Sequence, residues 1–245
     1  MQPPSADSAV AAVVEAAGLS RTYGRKRVVD DVSFRLDAGE CLAVFGPNGA
    51  GKTTLLNLLA GLLRPSAGSC GVNGSRAGDA KDARGRVGLI SHSSMLYSAL
   101  TARENVEFTA RLYGVRAPRE AARDALVAMR VHDRADTPVR SLSRGLQQRV
   151  SIARAIVHSP RLLLCDEPYT GLDEAGSGAL TDTLAERRAS GAAMVLVTHN
   201  LNEGLALATH VAIMQRGRFV KYEARRAVDD ASYASEYREL VTADA

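Results

Sequence analysis

One stretch constrains the fold of this chain more than any other: Gly46-Pro47-Asn48-Gly49-Ala50-Gly51-Lys52-Thr53-Thr54, which has the spacing G-x-x-x-x-G-K-[ST]. The apolar run before it, residues 41–45, predicts a buried strand. The run after it, residues 55–60, predicts a helix that Gly61 closes. A glycine-rich turn between a strand and a helix N-terminus directs backbone N–H groups and the positive end of the helix dipole at one point. The sequence therefore predicts a phosphate-binding loop (P-loop).

Two side chains of this loop have specific expected roles. Lys52 is expected to reach the β- and γ-phosphates of a nucleotide, and the Thr53 hydroxyl to ligate Mg²⁺. The alternative is a glycine-rich turn that holds a lysine by chance, and the correct strand and helix on either side count against it.

Composition and charge narrow the class of protein. With 245 residues, 46% of them hydrophobic, the chain is long enough for one large globular domain with a subdomain. The net charge of +4 is spread out, and the cluster Arg25-Lys26-Arg27 is too short to indicate a nucleic-acid partner. The three cysteines are odd in number, which favours reduced thiols in a cytosolic compartment over a disulfide framework.

Membrane and targeting signals are missing from the sequence. No apolar run approaches the roughly 18–20 residues that span a bilayer. Residues 1–8 carry no basic segment of the secretory type, and we expect a disordered tail over residues 1–12. A role at a membrane would therefore be carried out from outside the lipid.

The first part of the chain predicts antiparallel strands. Residues 13–17 form a weak strand candidate, followed by Gly18 and a polar loop that holds Tyr23. Residues 32–36 alternate apolar and polar side chains, which is typical of a half-exposed antiparallel strand. An N-terminal antiparallel β subdomain is the expected result.

From residue 92 to residue 159 the sequence is helical in character. Thr101 and Glu104 form a capping box, and Pro118 suits the first turn of another helix. A further helix is expected over residues 150–158. These helices lie between strands of the α/β core and predict an inserted helical subdomain.

The last third returns to alternating strands and helices. Residues 161–165, apolar after Arg161, and residues 193–197 contain continuous apolar runs, typical of parallel strands covered on both faces. Tyr233, Tyr237, Leu240 and Val241 stand at helical spacing and predict a C-terminal amphipathic helix. The predicted fold class is α/β, with a mixed or parallel sheet around the P-loop, in a domain over residues 13–222 followed by a helical tail over residues 223–245.

Three polar residues follow the predicted parallel strands. Asp166 ends an apolar strand, where a carboxylate can hold a metal through water, and Glu167 can polarise a water that attacks the γ-phosphate. His199 follows the strand over residues 193–197 and faces the same crevice, where it can donate to a γ-phosphate oxygen.

A second anion site is predicted at Ser143 and Gly145. Ser143 is a good helix N-cap, and a serine and a glycine at a helix N-terminus also bind anions. Because the P-loop already contacts one side of the phosphates, a second such helix end indicates a nucleotide held between two subunits.

Together these residues resemble the ATP-binding subunit of an ABC transporter, over about residues 13–222. The resemblance implies ATP and Mg²⁺ as ligands, residues 46–54 as Walker A, residues 162–166 as Walker B and Glu167 as the catalytic carboxylate. It places residues 142–147 at the signature, residues 171–173 with Asp173 at the D-loop, and His199 at the switch histidine. It also implies that Tyr23 stacks on adenine.

Two departures from the family pattern stand out. The family signature Leu-Ser-Gly-Gly-Gln is replaced by Leu142-Ser143-Arg144-Gly145-Leu146, which keeps Ser143 and Gly145. The position of the family's metal-contacting Gln falls on His92, or on Ser93 with a shift of one residue. Either side chain is a candidate contact for metal or water.

The stretches 90–92, 95–105 and 166–173 are similar to one branch of the family, the haem-exporter ATPases of cytochrome c maturation (CcmA-like). The resemblance implies an ATPase that dimerises, with itself or with a paralogue, around two ATP·Mg²⁺. It would drive a separate integral membrane permease from the cytoplasmic face of the inner membrane. The contact with the permease is expected near residues 93–100 and the helices after Thr101.

Two rivals remain at this point. One is a soluble non-transport ABC ATPase, such as an Fe–S assembly ATPase. The other is a P-loop kinase, which would give Ser143 no role in the reaction.

Overall fold

The structure is a computed structural model that describes residues 12–72, 74–76, 87–91 and 94–242. The predicted tail over residues 1–12 lies outside these residues except for Ala12.

The strands and helices of the described residues follow the order expected for an α/β protein. The strands are β1 Val14–Tyr23, β2 Lys26–Leu36, β3 Cys41–Phe45, β4 Ala67–Val72, β5 Ser75–Arg76, β6 Val87–Ile90, β7 Leu162–Asp166, β8 Ala193–Val197, β9 His210–Gln215 and β10 Arg218–Ala224. The helices are α1 Lys52–Leu59, α2 Ala102–Leu112, α3 Pro118–Ala128, α4 Arg144–Ile156, α5 Glu174–Ala189, α6 Leu201–Leu207 and α7 Asp230–Thr242.

The first sheet is antiparallel, with strand order β2-β1-β4-β5. Its first strand runs on to Tyr23, so the prediction that Tyr23 lies in a polar loop was wrong. Gly18, at φ +58°, lies within an irregularity in the register between Ala16 and Leu19, and the pairing with β2 resumes beyond it. A bulge of this kind continues a strand at a glycine where the sequence pattern suggests an end.

The second sheet has the order β10-β9-β3-β8-β7-β6, and all of its pairs are parallel except β9 with β10. Every residue of β3, β7 and β8 is buried, as their continuous apolar runs predicted. Successive residues of β3 point to opposite faces of the sheet. Leu42 and Val44 pack with α1 and the antiparallel sheet, whereas Phe45 packs on the other face. The predicted α/β class with a mixed sheet and an antiparallel N-terminal sheet is confirmed.

Helices α2, α3 and α4 lie between β6 and β7 in the chain and share one apolar core with α5. The capping box at Thr101 and Glu104 is present in full. Helix α4 begins at Arg144, not at Val150, and it ends before His158. Its polar first turn is helical because Ser143 caps it, although the buried apolar pattern starts only at Val150.

Phe45, the last residue of β3, is the centre of a small core on the outer face of the mixed sheet. Helix α7 places Tyr233 against its ring, with centroids 5.8 Å apart. Helix α6 places Gly204 against the same ring, where a Cβ atom would lie 2.5 Å from Cζ of Phe45.

We predict that Gly204→Ala destabilises the protein by about 1–3 kcal/mol, because the buried Phe45 ring has no room to move away from the added methyl group. The matched control is Gly178→Ala in α5, where no atom lies within 4 Å of the new Cβ. The control should raise stability by about 0.5–1 kcal/mol through the loss of glycine freedom in the unfolded chain. Urea unfolding measures the free energy of unfolding of both variants. Equal changes in that free energy would contradict this explanation.

Candidate nucleotide-binding site

The P-loop follows β3 at the carboxyl edge of the parallel strands. Two of its glycines lie against backbone: a Cβ at Gly46 would meet the Met214 carbonyl oxygen at 2.1 Å, and one at Gly51 would meet that of Val28 at 2.2 Å. Both have positive φ, +151° and +105°. The loop, with Val28 at one side, lines a cleft together with the tip of β7; its lining residues are Val28, Asn48, Gly49, Ala50, Gly51, Lys52, Thr53, Thr54, Asp166 and Glu167.

Lys52 lies inside the curve of this loop. Its Nζ donates to the carbonyl oxygens of Gly46, at 2.7 Å, and Pro47, at 2.9 Å. Burial lowers the pKa of Lys52, while the nearby carboxylates of Glu167 and Asp166 act in the opposite direction. The ammonium group is therefore held beside both carboxylates, in position to exchange carbonyl oxygens for phosphate oxygens.

Thr53 and Asp166 come together across the cleft, as their predicted metal role requires. The Thr53 hydroxyl donates to Oδ2 of Asp166 at 2.8 Å, and Asp166 is only 5% exposed. A hydroxyl and a carboxylate oxygen held side by side fit Mg²⁺, which takes oxygen ligands in proteins. When bound there, Mg²⁺ would neutralise charge on the β- and γ-phosphate oxygens.

Glu167 adopts an unusual backbone conformation next to Asp166. Its φ is +48°, in the left-handed region. A non-glycine residue has a higher free energy there than in the α or β region. Its N–H donates to the Val197 carbonyl oxygen of β8 at 2.9 Å. The strand thus ends by turning the Glu167 carboxylate into the cleft, as expected for a residue that acts on the phosphates.

His199 contacts Glu167 directly, and the structure brings these two predicted catalytic residues together. Nδ1 of His199 lies 2.8 Å from Oε2 of Glu167. His199 follows β8 and precedes Asn200, which caps α6 by accepting from the Asn202 N–H at 3.1 Å. The exposed imidazole is therefore held at the carboxyl edge of the sheet, beside the carboxylate that would polarise water.

Tyr23 lies outside the group of residues that line the phosphate cleft, at the tip of the β1–β2 hairpin. Its ring is 45% exposed, and the Arg21 guanidinium lies 4.6 Å from the ring centroid. Tyr23 pairs with Lys26, and residues 26–28 border a second groove along Pro47 and the loop glycines. Tyr23 itself is not among the described residues that line this groove, so its stacking on adenine stays a prediction.

The second predicted anion site is exposed at the tip of α4. The Ser143 Oγ accepts from the Leu146 N–H at 3.4 Å, and the Ser143 side chain is open to solvent. Gly145 lies so close to the next loop that a Cβ would meet the Gly171 carbonyl oxygen at 2.9 Å. In the described part of the chain, α4 contributes no residue to the phosphate cleft. The two predicted anion-binding elements of the chain therefore lie at separate places on its surface.

Arg149 ties α4 to the D-loop, a contact that sequence reasoning missed. Its side chain is 9% exposed; Nη2 donates to Oδ1 of Asp173, and Nη1 donates to the Arg130 carbonyl oxygen at 3.2 Å. The same Asp173 oxygen caps α5 by accepting from the Gly176 N–H at 2.9 Å. The hydrogen bond from Arg149, followed by the one from Gly176, lowers the pKa of Asp173. The family-like run Gln147-Gln148-Arg149 was the signal that could have pointed to this contact.

Of the two departures from the family pattern, the structure describes the one at the signature and not the one at the Gln position. Arg144 points into solvent, while Leu146 is partly buried against the apolar core of the helices. Gln147 donates to the carbonyl oxygens of Val139 and Leu142, each at 3.0 Å, which fixes the turn before the helix. His92 and Ser93, the candidates for the Gln position, both lie outside the described residues.

With this geometry in place, comparison with known proteins identifies the family. The family model for ABC transporters matches residues 29–170, more than half of the chain. The chain belongs to the ABC transporter family. It is an ATP-binding, ATP-hydrolysing cassette of that family.

Relatives of this ABC cassette include the Nod factor export ATP-binding protein I of Ralstonia nicotianae. That protein is 36% identical over 220 residues, covering 89% of this chain and 68% of the relative. Across four relatives with the same name, the chain spans 61% to 68% of the relative's length.

Two solved structures are similar in fold. The ATP-binding subunit of an ABC transporter matches with a TM-score of 0.82 and 31% identity, covering 92% of this chain and 94% of the other. A dimeric ATP-binding cassette in a post-hydrolysis state, bound to ADP and Pi, matches with a TM-score of 0.80 and 26% identity, covering 87% and 99%.

We predict that Asp166→Asn weakens the binding of ATP in the presence of Mg²⁺ by about 10–100-fold and leaves binding in EDTA nearly unchanged. The neutral amide keeps the hydrogen bond to Thr53 but removes the charge that orients the metal and its water. A fluorescent ATP analogue titrated with and without Mg²⁺ measures the effect. Asp182→Asn, an exposed carboxylate on α5, is the control for the lost charge. Equal weakening with and without Mg²⁺ would argue against the metal role.

Proposed function

We propose that this chain is the ATPase of an export system, that it dimerises around two ATP·Mg²⁺, and that it drives a separate membrane permease. The observation that carries the proposal is the separation of the two anion-binding elements. The P-loop cleft is open to solvent on one side, and the exposed α4 tip with Ser143 lies outside it. A face-to-face pair of chains places the tip of each subunit opposite the cleft of the other.

The dimer follows from the number of contacts that a triphosphate needs. Lys52, Thr53 and the loop amides reach the phosphates from one side only, which leaves oxygens of the γ-phosphate unpaired. A helix N-terminus supplies further N–H groups and favourable dipole energy to such an anion. Nucleotide would thus join the two subunits, and the dimeric relative bound to ADP and Pi supports this arrangement.

Hydrolysis is assigned to Glu167 and His199. Glu167 accepts a proton from the attacking water, and its left-handed backbone holds the carboxylate at the end of β7 for that purpose. His199, now hydrogen-bonded to Glu167, is placed to donate to the γ-phosphate once nucleotide is present. Loss of the γ-phosphate removes the bridge between subunits, so hydrolysis releases the dimer.

An exposed apolar surface on the helical part supports a permease partner. Tyr97 is 58% exposed and Phe108 is 46% exposed, and their rings meet edge to face with centroids 5.6 Å apart. Three further exposed apolar residues lie close to these two in the chain: Met95 two residues before Tyr97, and Leu112 and Tyr113 four and five residues after Phe108. We call Met95, Tyr97, Phe108, Leu112 and Tyr113 the apolar surface. Grouped exposed aromatic and aliphatic side chains mark protein interaction sites.

The loop that carries Tyr97 is held in a fixed shape. The buried Asn105 side chain accepts from the Tyr97 N–H at 2.8 Å and donates to the Tyr97 carbonyl oxygen at 3.1 Å. A rigid, pre-shaped surface lowers the entropic cost of binding a partner. This surface falls within the described part of the predicted contact region, which is residues 93–100 and the helices after Thr101.

The proposal assigns the crossing of the membrane to a separate permease. Over the described residues, no helix is both long enough and apolar enough to span a bilayer. In this proposal, which follows from membership of the ABC transporter family, the protein acts at the cytoplasmic face of the inner membrane, bound to its permease through the apolar surface.

Export is supported by the names of the relatives, which refer to Nod factor export. The narrower prediction of haem export in cytochrome c maturation gains no support from these relatives. They do not favour an Fe–S assembly role either. The exported compound binds the permease, so its identity lies in that partner.

We predict that Glu167→Gln lowers ATP turnover by about 10²–10⁴-fold, while ATP binding stays intact and a dimer accumulates. The amide cannot accept the proton from water, but it keeps the size of the side chain. Phosphate release measures turnover, and size-exclusion chromatography with light scattering measures the dimer. Turnover at the wild-type rate would show that another group is the base.

Adding Ser143→Arg to Glu167→Gln provides the matched control for the dimer. The larger side chain at the helix tip blocks the partner's phosphate, so the double variant should bind ATP as a monomer. Full ATPase activity in Ser143→Arg alone would instead favour the P-loop kinase hypothesis.

We predict that Tyr97→Glu with Phe108→Glu weakens association with the membrane fraction by about tenfold or more, because two central aromatic contacts are lost. The protein is expressed with a tag in the cell from which its gene comes, and the membrane-bound fraction is measured. Val220→Glu, an equally exposed apolar position on β10, is the control. ATPase activity of the isolated variants should be unchanged. If the Tyr97→Glu/Phe108→Glu variant bound the membrane fraction as well as the Val220→Glu control, the apolar surface would be ruled out as the docking site.

A further inference from the structure

Arg154 of helix α4 is a partly buried charged residue that pairs with no carboxylate in the described part of the chain. Its Nη2 donates to the Leu89 carbonyl oxygen of β6 at 3.2 Å and lies 3.9 Å from the Met95 sulfur atom. Its Nε is buried and has no hydrogen-bond partner among the described residues. The guanidinium is thus held by a neutral carbonyl group and a thioether.

The same helix shows what a buried arginine normally has beside it. Arg149, five residues before Arg154, is buried and donates to the carboxylate of Asp173. Burial lowers the pKa of Arg154, which reflects the free-energy cost of removing its charge from water. Buried charges in proteins are usually paired, because an opposite charge offsets this cost. Over the described residues, Arg154 bears the cost without such a partner.

Arg154 contacts the apolar surface through Met95. The Met95 backbone has φ +51°, in the left-handed region, and the residue before it is held by α4 as well. The Ser151 hydroxyl donates to the Ser94 carbonyl oxygen at 2.8 Å. Residues three apart on a helix lie on the same face, so Ser151 and Arg154 together hold the start of the apolar surface.

The chain just after α4 contacts another member of the apolar surface. His158 stacks on Tyr113, with ring centroids 4.0 Å apart and an interplanar angle of 13°. Arg154 therefore lies four residues before one contact with the apolar surface and makes another itself, at Met95. The contact with Met95 is exposed. A partner that covers Met95 and Tyr113 would therefore also remove water from the Arg154 guanidinium.

We propose that Arg154 is the charged centre of the permease contact, where it pairs with the carboxylate of an Asp or Glu on the permease segment that covers the apolar surface. This inference rests on the proposed function, because it takes the apolar surface as the permease contact. It adds the chemistry of the partner, which is apolar side chains around one acidic residue.

The pairing would make the contact selective. A carboxylate that meets a guanidinium forms charge-assisted hydrogen bonds, which are stronger than those the carbonyl oxygen of Leu89 provides. A partner without a carboxylate would cover Arg154 and leave its charge desolvated and unpaired, which disfavours that partner. Arginine is also enriched among the residues that dominate the energy of protein interfaces.

The test compares Arg154→Met, Arg154→Lys and Arg111→Met in the tagged full chain, expressed in the cell from which its gene comes. Arg111 is the matched control, because it lies on α2 between Phe108 and Leu112 and its charge is already paired with Glu107 at 2.6 Å. The membrane-bound fraction and the thermal midpoint of the purified protein are measured for each variant. Binding of the purified protein to vesicles of phosphatidylglycerol is measured as well.

Arg154→Met should lower the membrane-bound fraction by about tenfold or more, because the carboxylate of the partner is left without its counter-charge. Its thermal midpoint should be unchanged or higher, because a partly buried unpaired charge is removed. Arg154→Lys keeps the charge but not the forked geometry, and its membrane-bound fraction should stay within about threefold of wild type. Arg111→Met should stay within the same limit.

Four results would overturn the proposal. Arg154→Met could bind membranes as well as Arg111→Met, or it could lose binding no more than Arg154→Lys does, which would mean that the charge does not matter. A lower thermal midpoint in Arg154→Met would show a structural role instead. Binding of wild type to protein-free phosphatidylglycerol vesicles that Arg154→Met lacks would identify the anion as a lipid phosphate.

The Tyr97→Glu/Phe108→Glu variant, measured in the same assay, separates failure of this inference from failure of the proposed function. If that variant loses membrane binding and Arg154→Met keeps it, the apolar surface is the contact and Arg154 has no part in it. If both variants keep membrane binding, the apolar surface is not the contact, and the role of Arg154 is excluded with it.

Discussion

The structure depends on the close approach of two loop glycines to the backbone of two different sheets. Gly46 lies on the Met214 carbonyl oxygen of β9 in the mixed sheet, and Gly51 lies on the Val28 carbonyl oxygen of β2 in the antiparallel sheet. Neither position has room for a Cβ atom. The P-loop is therefore held between the two sheets, and the folding of both sheets determines the shape of the phosphate site.

Features that depend on neighbouring residues could be predicted from the sequence. The buried runs of β3, β7 and β8, the capping box at Thr101 and the placement of Asp166 and Glu167 at a strand end are all encoded within a few residues. The continuation of β1 past Gly18 was missed, because a bulge and a strand end have the same local pattern. The contact of Arg149 with Asp173 joins residues on two different helices, and no pattern within either helix reports it.

Glu167 is both the proposed catalytic residue and a residue with a strained backbone, and its place among the charges of the cleft accounts for this combination. Lys52 is buried beside Asp166 and Glu167, so the two carboxylates offset the cost of desolvating the ammonium group. Holding Glu167 there requires a left-handed backbone that a glycine would adopt more easily. Glycine would relieve the strain but would remove the carboxylate. The cost of this conformation is therefore best explained by the chemistry proposed for Glu167, and the contact with His199 keeps its side chain in the cleft.

Helix α4 gives the proposed coupling between nucleotide and permease a physical basis. At its N-terminus is Ser143, which would meet the partner's phosphates; six residues further along, Arg149 binds the D-loop at Asp173. Next along the helix, the Ser151 hydroxyl donates at 2.8 Å to the carbonyl oxygen of Ser94, which directly precedes the apolar surface. A helix cannot stretch, because its backbone hydrogen bonds fix its length. A displacement of its tip on closure of the dimer would therefore move the segment at Ser94 as well, and the permease contact would follow the state of the nucleotide.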